Sequence, residues 1–172
     1  MENQIPIKAS GQLTARDIYN FSLDTIFRRF RWFLIVIGLV ALFLIANIAE
    51  NARNLEWTLP NVLTPLFILV FIPYAFFVAP YFSARKRIQT SPNLSGVITY
   101  EFSSGGVEIS APNSQAHLNW AALIEARETS DQFFLYPQTA MAHVIPKRFL
   151  NADDVPMLRA LLRTHVAKTK LK

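Results

Sequence analysis

The sequence contains no cysteine, only five glycines and three histidines, and charged residues fill only 17% of its 172 positions. The missing cysteine excludes a disulfide framework, a thiolate nucleophile and any cysteine-ligated zinc or iron–sulfur site. The histidines, His117, His143 and His165, fall at no i,i+4 or other metal-ligand spacing. There is no G-x-S-x-G, Walker A or glycine-rich dinucleotide signature. Two carboxylate pairs occur. Glu125/Glu128 is split across the faces of a strand, and Asp153/Asp154 suits a helix start. Acid–base catalysis instead needs carboxylates that converge in separated environments. No catalytic residue, cofactor or metal is therefore expected, and the chain reads as a non-enzyme. Nucleic acid is not expected either, because no recognition motif accompanies the basic residues.

Charge is also absent from two long stretches. Residues 32–49 and 62–82 carry no Asp, Glu, Lys or Arg. As helices these 18 and 21 residues span roughly 27 and 31 Å, against a hydrocarbon core about 30 Å thick. Leu, Ile, Val and Phe occur all around each helix, unlike the single stripe of a soluble helix. A cleaved signal peptide fits the first run poorly, because it begins after 31 residues and lacks a small-x-small site before Glu50. The expectation is a transmembrane hairpin.

The cations set its orientation. Arg28, Arg29 and Arg31 precede the first run, and Arg85, Lys86 and Arg87 follow the second, while the loop 50–61 holds only Arg53 beside Glu50 and Glu56. Cytoplasmic flanks carry the Lys/Arg excess. Both termini are thus expected in the cytoplasm of a bacterial inner membrane, with the loop and Trp57 on the outer side. Pro65, Pro73 and Pro80 punctuate the second run, which is read as a bent helix packed on its partner rather than a hinge. Neither run holds an ionisable residue of the kind that marks ion routes.

Flanking the hairpin, Thr14-Ala-Arg-Asp17 has the form of a helix cap. Residues 15–30 read as an amphipathic helix, either lying at the membrane surface or extending the first span. Residues 1–9 are expected to be irregular. Thr90–Gly96 is turn-rich, which makes 83–96 a linker. From Ile98 the period changes to alternation, in short runs joined by turns such as Ser103-Ser-Gly-Gly106, so antiparallel hairpins are expected. A closing helix follows, capped by Asn151 or Asp153, with Val155, Leu158, Leu161, Leu162 and Val166 on one face. The organisation expected is an N-terminal segment (1–31), a hairpin (32–82), a linker (83–96) and a cytoplasmic domain (97–167). The fold class is an α+β membrane protein. Its domain would be six strands in one curved sheet under a helix, with Trp120 in the core.

Ile98-Thr-Tyr-Glu-Phe102, Gly106-Val-Glu-Ile-Ser110, Asn119-Trp120 before Leu123-Ile124, Phe133-Phe-Leu-Tyr136 and Val144-Ile-Pro-Lys-Arg-Phe149 agree in order and spacing with one family. Over roughly residues 97–165 the chain resembles the YcxB-like family, whose layout also includes two preceding spans. The resemblance implies a bacterial inner-membrane protein of undefined role with a pleckstrin-homology-like sheet, and it implies no catalytic residues.

The functional expectation is a membrane-anchored interaction module whose partners are the lipid bilayer and either another protein or a second copy. One alternative is a sensor of anionic lipid or a small ligand, with Arg85, Lys86, Arg87, Lys147 and Arg148 as headgroup contacts. A further alternative is an accessory subunit of a transport system built on the proline-rich span.

Overall fold

The computed structural model describes residues 6–29, 31–53, 58–139 and 141–172. Trp57 and the first five residues, part of the segment expected to be irregular, lie outside that set. The chain forms two compact units. One joins the residues up to Phe21 with Ala84–Lys172, and the other is Ser22–Ser83.

The first unit is built on two four-stranded sheets. Strand β1 (Ile7–Gln12) precedes the hairpin, and β2 (Val97–Ser103), β3 (Gly106–Ala111) and β4 (Ser114–Leu118) follow it; together they form one sheet in the order β1-β2-β3-β4. Strands β5 (Glu125–Glu128), β6 (Gln132–Gln138), β7 (Met141–Pro146) and the two-residue β8 (Thr169–Lys170) form the other, in the order β7-β6-β5-β8. All pairings are antiparallel except β5 with β8.

Six of these strands fall where alternation predicts them. Two features correct the expectation. Residues 7–9 are not irregular: they begin β1, which runs antiparallel to β2 with Ile7 opposite Phe102 and Ala9 opposite Tyr100. Nor is there one curved sheet. After β4, Asn119 accepts a hydrogen bond from the Ala121 N–H and starts a 3-10 turn over Trp120–Ala122, which breaks the ladder so that β5 opens a second sheet.

Trp120 is buried, as expected, and its indole N–H donates to the Ser103 carbonyl at 2.9 Å. The core draws on both sheets: Phe102, Val107, Phe133, Leu135 and Ile145 are fully buried, together with Leu158 and Leu162 from the closing helix (Asp154–His165).

Local chemistry explains the turns. Gly106 has φ +148°, a conformation that L side chains rarely adopt, and it ends the Ser104-Gly105 turn. At Gly11 the Phe149 ring fills the space that a Cβ would need, so β1 lies close beneath the turn Lys147–Phe149.

The second unit holds most of α1 (Ala15–Arg29), α2 (Arg31–Arg53) and α3 (Leu59–Pro73), then a π-turn (Tyr74–Val78) that leads into α4 (Ala79–Thr90). The prolines account for the π-turn. Pro73 and Pro80 cannot donate to the preceding turn, and the Ala79 N–H bonds back to the Tyr74 carbonyl, a five-residue step. Helix α4 runs to Thr90 and is followed by the one-turn α5 (Pro92–Ser95), so the stretch read as a linker is largely helical. The closing helix, next in sequence, is α6.

Two candidate spans, Ile35–Arg53 and Leu63–Thr90, are long and apolar enough to cross a membrane. Only 0% and 6% of the residues in their apolar windows are buried, whereas the core helix of a soluble fold is mostly buried.

Candidate functional site

The helix cap read from sequence is present. The backbone N–H and hydroxyl of Thr14 both donate to Asp17 Oδ2, at 2.6 and 2.8 Å. Asp17 is only 4% exposed, however, and it serves a wider network. Arg148 grips its carboxylate with both terminal nitrogens, Nη1 to Oδ1 at 2.7 Å and Nη2 to Oδ2 at 2.6 Å. Gln132 Nε2 donates to Oδ1 at 3.0 Å, and Arg148 Nη2 also reaches the Gln12 carbonyl. Burial pushes the Asp17 carboxyl up. The hydrogen bonds from Arg148 and Thr14 and the guanidinium charge outweigh that, and hold it below its ordinary value. Arg148 is raised in turn, first by its hydrogen bond to Asp17.

A second buried carboxylate organises the end of β5. The Glu128 side chain has no exposed surface and takes a bidentate pair from Arg159 on α6 (Nε at 2.8 Å, Nη2 at 2.7 Å). Lys147 Nζ adds an ion pair at 2.6 Å, and the Lys172 backbone N–H donates at 3.0 Å. Burial again pushes the carboxyl up, and hydrogen bonds from Arg159, Lys147 and Lys172 overcome it, so its pKa lies at about 2. Lys147 also lies over the Phe133 ring.

These two networks locate the residues singled out as headgroup contacts. Lys147 and Arg148 are each committed to a carboxylate of the chain itself. Arg85, Lys86 and Arg87 stand apart on α4, exposed to solvent. Sequence reasoning missed Gln132 and Arg159, and it takes Asp17 only as a helix cap and Glu128 only as one of a split carboxylate pair.

The histidines also separate. His117 is exposed on β4, and His165 stacks on Trp120 at 5.3 Å. His143 on β7 is partly covered, and burial lowers its pKa. No group of three or more His, Asp or Glu that could hold a metal occurs among the described residues.

Two surfaces of the first unit remain open. A cleft of about 290 Å³ lies where the β1–β2 pair meets α6. Ile7, Phe102, Met157 and Leu161 form its apolar lining, with hydroxyls from Ser103, Ser104 and Thr164. His165 also lines it, and no Asp, Glu, Lys or Arg does, so its wall is mostly apolar with one imidazole. The other is strand β4, whose residues 114–117 are exposed at the edge of its sheet.

Residues 102–162 match the model of a family described as YcxB-like protein, so the C-terminal region carries a YcxB-like domain. The match spans the last part of β2 through most of α6 and leaves out β1 and β8, the strands contributed by the two ends of the chain. No curated protein and no solved structure matches the chain.

Proposed function

Given a YcxB-like domain at residues 102–162, we propose that this protein is a non-enzymatic module anchored in the bacterial inner membrane by a two-helix hairpin. The domain faces the cytoplasm and meets a protein partner or a second copy. The observation that carries the reading is the hairpin's apolar surface: 0% and 6% of the residues in the apolar windows of the two candidate spans are buried. Side chains such as Leu39, Leu42, Phe43, Phe67 and Val70 stand more than half exposed. Apolar surface of that extent is stable against lipid and not against water.

Connectivity adds to this. The chain leaves the sheet domain after Phe21 and re-enters it at Ala84, so two covalent connections hold the domain to the hairpin. The cations beside the spans favour the side of the membrane where Lys and Arg accumulate. Two sheets closed by a C-terminal helix support a pleckstrin-homology-like reading of the domain. Its open cleft and bare strand edge suit binding of another chain.

The test is extraction and topology together. The chain should stay in the membrane pellet at high pH. A reporter joined to Lys172 should be active on the cytoplasmic side, and one placed in the loop 50–61 on the outer side. A chain that dissolves without detergent, or a Lys172 reporter on the outer face, would overturn the reading.

A second role, contact with anionic headgroups, is supported at Arg85, Lys86 and Arg87, which are exposed in the last turns of the second candidate span. Co-sedimentation with vesicles containing anionic lipid should fall on replacing these three with alanine.

A further inference from the structure

We propose that β4 is a self-pairing edge: two copies join antiparallel along Ser114–Leu118, about a two-fold axis at Ala116, and make one continuous sheet across the dimer. The proposal deepens the interaction-module reading and rests on it.

The argument begins with the four sheet edges. An exposed strand edge is a template for another strand, and proteins blunt it with lysine, proline, bulges, short length or a cover. Three of the four edges are blunted in this way. On β1 there is Lys8, while Phe149 lies against Gly11 and Arg148 holds the Gln12 carbonyl. At β7 the strand ends in Pro146, and its register with β6 shifts between Leu135 and Gln138. Strand β8 has only two residues, with Lys168 and Lys170 there. Strand β4, Ser-Gln-Ala-His-Leu, has no charged residue and no proline, and its register with β3 is regular throughout.

The register also says which backbone groups are open. A two-residue turn, Pro112-Asn113, joins Ala111 to Ser114, which are paired. Hydrogen-bonded and non-hydrogen-bonded pairs alternate along an antiparallel ladder. Counting from that closing pair, Ser114, Ala116 and Leu118 direct their N–H and C=O groups to β3. Gln115 and His117 direct theirs outward.

A second copy meets this pattern in kind. With the axis at Ala116, Gln115 of one copy faces His117 of the other, and each such pair exchanges both N–H···O bonds. Ala116 then faces Ala116 and Ser114 faces Leu118, so no like charges oppose each other and no bulky side chains collide. A five-residue edge buries little area, so the pairing is weak in dilute solution. Confinement of both copies to one bilayer raises the effective concentration in which it operates.

The cysteine-free sequence makes the test clean. In native membrane vesicles under mild oxidation, Ala116→Cys should give a disulfide dimer. Its two Cα atoms would lie about 4.5 Å apart in a non-hydrogen-bonded pair, close to the range of about 4.4–6.8 Å that a disulfide needs. Ser114→Cys should give several-fold less, because its two copies would lie about 13 Å apart along the strand. Adding His117→Pro to Ala116→Cys removes only an outward donor, which an edge strand tolerates. It should abolish the dimer while thermal unfolding of the chain is unchanged. Equal yields at 114 and 116, or no dimer at 116 from membrane-bound chain, would overturn the self-pairing and leave the membrane-module reading standing. Chain recovered in the soluble fraction would overturn that reading instead, and the preference for 116 over 114 would still decide the pairing.

Discussion

Arg148 and Asp17 are separated by 131 positions in sequence and joined by two short hydrogen bonds, one to each carboxylate oxygen. The pair fastens the start of α1 to the turn that follows β7, and so holds the segment before the hairpin to the YcxB-like domain. Arg148→Ala leaves Asp17 buried with only the Thr14 cap and Gln132 as partners, and no cation beside it. The expected cost is about 2 kcal/mol, in the range for losing hydrogen bonds to a charged group. The Arg148 side chain is half exposed, which keeps the value below that of a fully buried pair. Thermal unfolding of the detergent-solubilised protein measures it, and Arg148→Lys should recover only part, since lysine cannot grip both oxygens.

Acid should loosen the same unit through Glu128. Its folded pKa, about 2, is below its ordinary value of 4.5. A carboxylate depressed on folding contributes stability that is present above the unfolded value and is lost as pH falls through the folded one. The loss therefore runs between about pH 5 and pH 2. Asp17, also depressed, acts in the same direction. Melting temperature followed across that window should fall less steeply in Glu128→Gln, which starts lower and titrates no proton there.

How much of this was legible depends on the range of the interaction. The Thr14–Asp17 cap, the Ser104-Gly105 turn, six strands and α6 are specified within a few residues of themselves, and each stands where its pattern puts it. Strand β1, Ile-Lys-Ala-Ser-Gly-Gln, has one β-branched residue and no aromatic, and it is a strand because β2 lies beside it, from the far side of the hairpin. Lys147 and Arg148 look like a free basic pair because their carboxylates are remote: Asp17 was read only as a cap, and Glu128 only as one of a pair split across a strand. The division into two sheets falls at the Trp120–Ala122 turn, where the Asn119 side chain accepts from Ala121 and two backbone bonds close the turn.

Gly106 offers a sharper local test than any strand residue. A Cβ there would meet the Leu118 carbonyl, and the φ of +148° is strained for any L side chain. Gly106→Ala should cost about 1–3 kcal/mol. At the adjacent Gly105, the nearest atom to a Cβ is the Ser103 hydroxyl at 3.8 Å, so Gly105→Ala should be close to neutral. Chemical unfolding of the two variants side by side separates backbone strain from a general dislike of alanine in the turn.

The strand in front of the hairpin makes the domain discontinuous, and that has a consequence for any isolated fragment. Ile7, Ala9, Leu13 and Ile18 are all buried in the core of the domain. Burying an Ile or Leu contributes about 1.5–3 kcal/mol each, so losing the three larger ones removes about 5 kcal/mol or more. Domains have only about 5–15 kcal/mol in hand. A fragment of residues 84–172 should therefore be poorly protected from amide hydrogen exchange along β2, whose outer partner is missing. Adding a peptide of residues 6–21 should restore protection at Val97–Ser103, and the same peptide with Ala9→Pro should not, because proline cannot donate within the ladder. Equal protection with and without the peptide would show instead that the matched region folds alone and that β1 is an accessory to it.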